Sequence, residues 1–261
     1  SKSKRLASIK TGFNKALGKE TVVYETPTNL QTAEEYFYSG YNKAKQNNDY
    51  YGAIANYTKA IELNPDFSNA YVNRGILKLG LKDGLGGLTD FNKAIEIDSN
   101  NAAAYLNRGY FRVQTGHWPG TTKDQMEWYF KALTDFNKSI ELNPNIREAY
   151  RYRGDHKRTL KDYSGSIIDL TKVIEFNPNR GDSYYNRGIS KHYSKDYYGA
   201  IADYTKAIDL STNNIINSGA YNNRAESKKS IGDLNGACLD WKKAANLGAA
   251  SASKQVSIHC N

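Results

Sequence analysis

Apolar and small residues in this chain follow a two-part pattern that recurs along its length. In the first part they fall at helical spacing, as at Tyr71 and Gly75. A polar turn such as Asn48-Asp49 or Lys195-Asp196 follows. The second part reads A-I-x-x-Y-x-K-A-I-x-L, with Ala53, Tyr57 and Ala60 at spacings of four and three. That spacing marks one face of an α-helix. Asn-Pro (Asn64-Pro65, Asn143-Pro144, Asn177-Pro178) or a Ser/Thr stretch closes each unit, because proline cannot continue the helical hydrogen bonds.

Alignment on the glycine of Y-x-N-R-G superimposes Gly75, Gly109, Gly154 and Gly188, with Gly40 before them and Ala225 after. The blocks are 33–67, 68–101, 102–146, 147–180, 181–218 and 219–251, and the third carries an 11-residue insertion. Gly75 in the first helix, and Ala60 or Ala94 in the second, let paired helices approach closely. One pair cannot bury its own apolar faces; stacked neighbours bury them jointly. The pattern predicts an all-α fold, an α-α superhelix of about six helix-turn-helix repeats with an extra helix at each end.

The 34-residue period, with Gly at the eighth position, Ala at the twentieth and twenty-seventh, Tyr or Phe at the twenty-fourth and Pro near the thirty-second, resembles the tetratricopeptide repeat family over residues 33–251. Gly87 and Ser166 depart from it at the twentieth position, and Ser139 and Val173 at the twenty-seventh, without threatening the fold. The sub-pattern N-R-G…D-Y-x-x-A-I-x-D-Y-T-K-A-I, ending G-A-C-L-D-W-K-K-A-A, is similar to bacterial and especially cyanobacterial members. The resemblance implies a non-enzymatic scaffold that binds a protein, peptide or partner helix in a concave groove lined by the first helices.

Residues 252–261 are expected to form a capping helix over the last repeat. Residues 1–32 read as a basic helix and connector. Leu6, Ile9, Phe13, Ala16 and Leu17 recur at helical spacing among lysines. That stripe needs a surface: this array, a second copy, or an anionic membrane reached by residues 1–20. The alternative function is therefore a self-associating or membrane-surface assembly protein. The net charge of +9 is concentrated at this end, in Lys2, Lys4, Arg5, Lys10, Lys15 and Lys19. No nucleic-acid-binding motif accompanies it, so no nucleic-acid partner is expected.

No run of about 18 apolar residues is present. A soluble, cytoplasmic protein is the expectation, although the absence of an initial Met leaves room for a removed leader. Cys238 and Cys260 lie on opposite sides of the Leu247-Gly248 turn. They are expected to be close, but as thiols if the compartment is reducing. The stretch Gly84-Leu-Gly86-Gly87 falls at a turn with no strand before it, so it is not a phosphate loop. The four histidines lack metal-ligand spacing. No cofactor, metal or catalytic residue is expected.

The seventh repeat position holds Arg74, Arg108, Arg153, Arg187 and Arg224; the twenty-third holds Asp90, Asp135, Asp169, Asp203 and Asp240. The first repeat has Ser39 and Asn56 there, losing both charges together. This joint loss predicts a guanidinium–carboxylate pair between the two helices of each repeat.

Positions 2, 5, 6, 9, 12 and 13 of each block map the candidate groove. The early repeats contribute Phe37, Tyr41, Val72, Ile76, Leu79, Leu106, Tyr110 and Val113; the fourth contributes Glu148, Arg151, Asp155 and Arg158; the fifth contributes Tyr185, Ile189, His192 and Tyr193. Asn73, Asn107, Asn186 and Asn223 share position 6, where carboxamides could hold a peptide backbone. In the third-repeat insertion (His117 to Lys131), Trp118, Trp128, Tyr129 and Phe130 suggest an accessory contact projecting from the edge, with folding back onto adjacent repeats as the equal alternative. Thr122 with Gln125 would cap a lengthened second helix.

Overall fold

The computed structural model describes residues 32–115 and 122–260. Among them are thirteen α-helices and no strand, so the fold class is all-α. The first six are α1 (Ala33–Gln46), α2 (Tyr50–Leu63), α3 (Ser68–Gly80), α4 (Gly84–Ile97), α5 (Ala102–Thr115) and α6 (Thr122–Leu142). Then come α7 (Arg147–Thr159), α8 (Tyr163–Phe176), α9 (Gly181–Tyr193), α10 (Tyr197–Leu210), α11 (Asn214–Ser230), α12 (Leu234–Asn246) and α13 (Ala250–His259). Two compact units divide the chain, one ending at Ala149 and the other starting at Tyr150. In each, helices pair with their sequence neighbours, and successive pairs stack as in an α-α solenoid. The basic helix expected over residues 1–20 and most of its connector lie outside the described residues.

Capping chemistry sets the helix boundaries. Thr32 and Glu35 open α1 with a reciprocal capping box, Glu35 N–H donating to Thr32 Oγ1 and Thr32 N–H to Glu35 Oε2. Five second helices share another device. Asp49, Asp83, Asp162, Asp196 and Asp233 accept from the N–H of the glycine three residues on, at 2.8–2.9 Å. That residue is glycine because a Cβ on Gly52 would lie 2.0 Å from Asp49 Oδ2. The residue before each Asp turns the chain with positive φ: Asn48, Lys82, Lys161, Lys195 and Gly232. Between repeats, Asn64, Asn143 and Asn177 use their side-chain carbonyls to hold the N–H two residues on, across the prolines.

One large side chain from each second helix fills the repeat. Tyr57, Phe91, Phe136, Leu170, Tyr204 and Trp241 are fully buried among alanines such as Ala53, Ala60, Ala94, Ala200 and Ala244. The first-helix glycine makes room for it: a Cβ on Gly75 would lie 2.8 Å from Phe91 Cε1 and 3.1 Å from Gly87 O.

Two expectations need correction. Cys238 and Cys260 form a disulfide rather than a pair of thiols. The α12–α13 hairpin turns through Gly248, at φ 90°, and brings their Cα atoms to 5.5 Å. The lengthened second helix of the third repeat does form, as the 21-residue α6, but its start does not simply project. Trp128 turns back edge-on to Phe111, centroids 6.3 Å apart, while Arg112 covers its ring. Met126 and Phe130 remain exposed. The Thr122–Gln125 cap, Trp118 and residues 116–121 lie outside the described features.

Candidate functional site

The Arg–Asp pairs form as the repeat pattern predicts. In the last repeat, Arg224 Nε and Nη2 donate to Asp240 Oδ2 and Oδ1 at 2.8 and 2.7 Å. The same fork joins Arg74 to Asp90, Arg153 to Asp169 and Arg187 to Asp203, and a related one joins Arg108 to Asp135. The first repeat substitutes a neutral bond, Asn56 Nδ2 to Ser39 Oγ.

A second cation on each carboxylate was not read from the sequence. Lys78, Lys157, Lys191 and Lys228 approach the free side of their Asp at 2.8–3.0 Å, and Arg112 does so in the third repeat. These residues sit four positions after each arginine, and that spacing was the available signal. Burial disfavours the Asp240 anion, but hydrogen bonds from Arg224 and Lys228 hold its carboxyl below the usual range. The arginines also tie repeats together: Arg74, Arg187 and Arg224 donate Nη1 to Thr58, Thr171 and Thr205 of the preceding repeat. Each guanidinium lies over the tyrosine three residues before it, as Arg224 does over Tyr221 at 5.3 Å. The Nε and Nη2 groups of Arg74, Arg153, Arg187 and Arg224 are spent on their own carboxylates, so the clamp is part of the fold.

In the first unit, α3 and α5, the first helices of neighbouring repeats, lie against each other. Five of the residues assigned to the groove there are buried: Phe37, Val72, Asn73, Ile76 and Leu106. Their apolar surface is used in packing; Phe37, for example, meets Tyr57 and Phe67 with centroids 5.6 and 4.9 Å apart. Tyr41, Leu79, Asn107, Tyr110 and Val113 stay partly accessible, with Tyr41 and Leu79 packed against the core. Lys45 covers the Tyr41 ring and donates to its hydroxyl at 2.8 Å. Glu148 is nearly buried against Arg147.

In the second unit, α9 and α11 lie together in the same way. Arg151 and Arg158 flank Asp155 at 3.5 and 3.2 Å, and Arg158 also donates to the Asn186 carbonyl at 3.3 Å. Burial raises the Asp155 carboxyl above its usual range despite both arginines. The Tyr185 hydroxyl accepts from Asn223 Nδ2 at 3.3 Å and rests on α11 at Gly219, where a Cβ would come within 2.7 Å. Ile189 packs partly buried beside Tyr204 and Tyr185.

An aromatic cluster ends this face. Tyr193, 59% exposed, stacks on Tyr163 at 5.7 Å, and His192 stands edge-on to Tyr193 and Tyr197. His192 Nδ1 and Ser227 Oγ are 2.8 Å apart. Ser227 is fully buried and donates to the Asn223 carbonyl, so the pair joins α9 to α11 and presents no accessible hydroxyl. Burial lowers the His192 pKa against the opposing field of Glu226, favouring neutral imidazole.

The four asparagines at position 6 are not alike. Asn73 is buried against Tyr57, Asn107 donates to its own helix at Ala103, and Asn223 supports Tyr185. Among the described residues, no three His, Cys, Asp or Glu side chains are placed to share a metal ion. None of the described helices is long and apolar enough to cross a membrane.

Comparison with known proteins follows the same repeat. Residues 42–81 match the family model described as TPR repeat, and residues 181–214 the model described as Tetratricopeptide repeat. The crystal structure of YrrB, described as a TPR protein with an unusual peptide-binding site, is similar over 77% of this chain and 97% of its own, with TM-score 0.66 and 19% identity. PilF from Pseudomonas aeruginosa is similar over 87% of this chain and 96% of its own, with TM-score 0.69 and 15% identity. PilW, described as a widely conserved type IV pilus biogenesis factor, gives TM-score 0.67 at 15% identity over 87% of this chain and 99% of its own. At these identities the likeness concerns the fold. No curated protein sequence matches the chain. Tetratricopeptide repeats typically mediate protein–protein interaction, and their fold is generally a non-catalytic scaffold.

Proposed function

We propose that this protein is a non-enzymatic interaction module whose first-helix faces bind an extended peptide or partner helix. One observation carries the reading: within each unit, neighbouring first helices lie side by side, and aromatic, aliphatic and amide groups at the expected groove positions stay partly accessible. The first unit offers Tyr41, Leu79, Asn107, Tyr110 and Val113. The second offers Tyr185, Asn186, Ile189, His192 and Tyr193, bordered by Arg151, Arg158 and Asn223. Aromatic rings give a peptide contact area at small entropic cost, and amides supply both donor and acceptor to its backbone. The peptide-binding site named for YrrB supports the reading by analogy of fold. The internal use of every Arg–Asp clamp also supports it, because recognition then rests on the face residues. The test is titration of a peptide selected on the intact chain against variants of these faces and of the outer surface.

A further inference from the structure

We infer that the Cys238–Cys260 disulfide is a redox-controlled latch on the C-terminal cap, and that the protein operates where this latch is oxidised. Apart from the bridge, α13 is held by few features of its own. It has ten residues, and its N-cap, Ala249, makes no side-chain capping bond. Isolated helices shorter than about 12–15 residues are marginal in water. Only Ala252 is fully buried; Val256 is partly so, whereas Ser251, Ser253, Lys254, Ser257 and Ile258 are exposed. At its far end the His259 ring stacks on Trp241 at 5.6 Å, and its Nε2 lies 3.0 Å from Lys229 Nζ.

The surface beneath is apolar. Trp241, Ala237, Ala244 and Ala225 are fully buried there, with Tyr221 and Ala245 beside them. An unlatched cap would expose part of this surface to water, and covering such an end face is what a solenoid cap must do. The chain has two cysteines, and both are used in this one bridge, across a sequence separation of 22. A cross-link of that separation removes much of the entropy the cap would gain by opening.

Opening is a two-electron reduction. A dithiol reductant gives two electrons and two protons to the S–S bond, yielding Cys238 and Cys260 thiols, and is itself oxidised to a disulfide. Disulfides persist in oxidising compartments, so a protein that works with this latch closed operates outside a reducing cytosol.

The test uses the full chain, oxidised and then treated with tris(2-carboxyethyl)phosphine, and follows amide hydrogen exchange by mass spectrometry. Reduction should speed exchange in residues 250–259 by about a hundredfold, leaving residues 197–210 unchanged. Cys260→Ser should show the fast cap exchange with or without reductant. Two titratable thiols in protein prepared without reductant would overturn the inference. So would cap exchange indifferent to reductant, or loss of all helix in the second unit on reduction. If the serine variant does not fold, reduction of the wild-type chain decides alone.

Discussion

Replacing Arg224 by Ala tests the clamp where its effect is easiest to read, because Asp240 adjoins the buried Trp241. In the folded chain Asp240 is 2% exposed and receives two bonds from Arg224 and one from Lys228 at 2.8 Å. Removing one partner of a buried ion pair typically costs about 3–5 kcal/mol. Here Lys228 remains on the carboxylate, and Arg224 also loses its 2.8 Å bond to Thr205 and its cover on Tyr221. These opposing effects put the expected cost at the lower end of that range, about 3 kcal/mol. Lys228→Ala should cost about 1–2 kcal/mol, as the loss of one charged hydrogen bond. Exposed Lys242→Ala should stay within about 0.5 kcal/mol.

The assay is urea unfolding followed by Trp241 fluorescence in a background with Trp118 and Trp128 changed to Phe. The pH dependence supplies a second arm. The folded carboxyl of Asp240 titrates below its usual range, so its stabilisation is complete above the unfolded value of about 3.9 and is lost as pH falls through the folded value. The gap between Arg224→Ala and wild type should be widest near neutrality and narrow below about pH 4. Arg224→Ala no worse than Lys242→Ala, or a gap that widens in acid, would refute the reasoning.

Three further outcomes follow from the geometry. Gly75→Ala should cost about 2 kcal/mol by thermal or chemical denaturation, since its Cβ would be forced against Phe91 and the Gly87 carbonyl. Asp155→Asn should leave stability at neutral pH unchanged or improved and flatten its pH dependence, because burial raises that carboxyl and the anion is the costly form; a clear loss at pH 7 would count against this. Trp128→Ala should cost about 2 kcal/mol through lost packing on Phe111, whereas an unchanged melt would mean that the start of α6 is only an appendage.

The fold was legible in the sequence because each repeat writes the same constraints again: Gly beside a large side chain, Ala facing Ala, Pro after the second helix. The Arg–Asp pair was legible for a sharper reason, since the first repeat loses both charges and replaces them with an Asn56–Ser39 bond. The D-x-x-G cap is equally present in the sequence, but its logic depends on a steric clash at the glycine Cβ that spacing alone does not display. The candidate faces were less legible. Helical spacing puts Val72 and Tyr110 on comparable positions, but it cannot say that Val72 is covered by a neighbouring helix while Tyr110 stays partly open. The disulfide depended on how the hairpin closes through Gly248, a three-dimensional fact that spacing only permitted.

The central claim is that the first-helix faces bind peptide, and calorimetric titration tests it most directly. A peptide selected from a random display library on the immobilised full chain would be titrated against wild type, a Tyr110→Ala/Tyr193→Ala double variant, and a Tyr51→Ala/Tyr198→Ala control whose side chains are 77% and 74% exposed on second helices. The account predicts that the first-helix variant weakens binding by about tenfold or more, as expected for loss of aromatic anchors, while the control binds as wild type does. Equal binding by the first-helix variant and wild type, or a loss confined to the control, would contradict it.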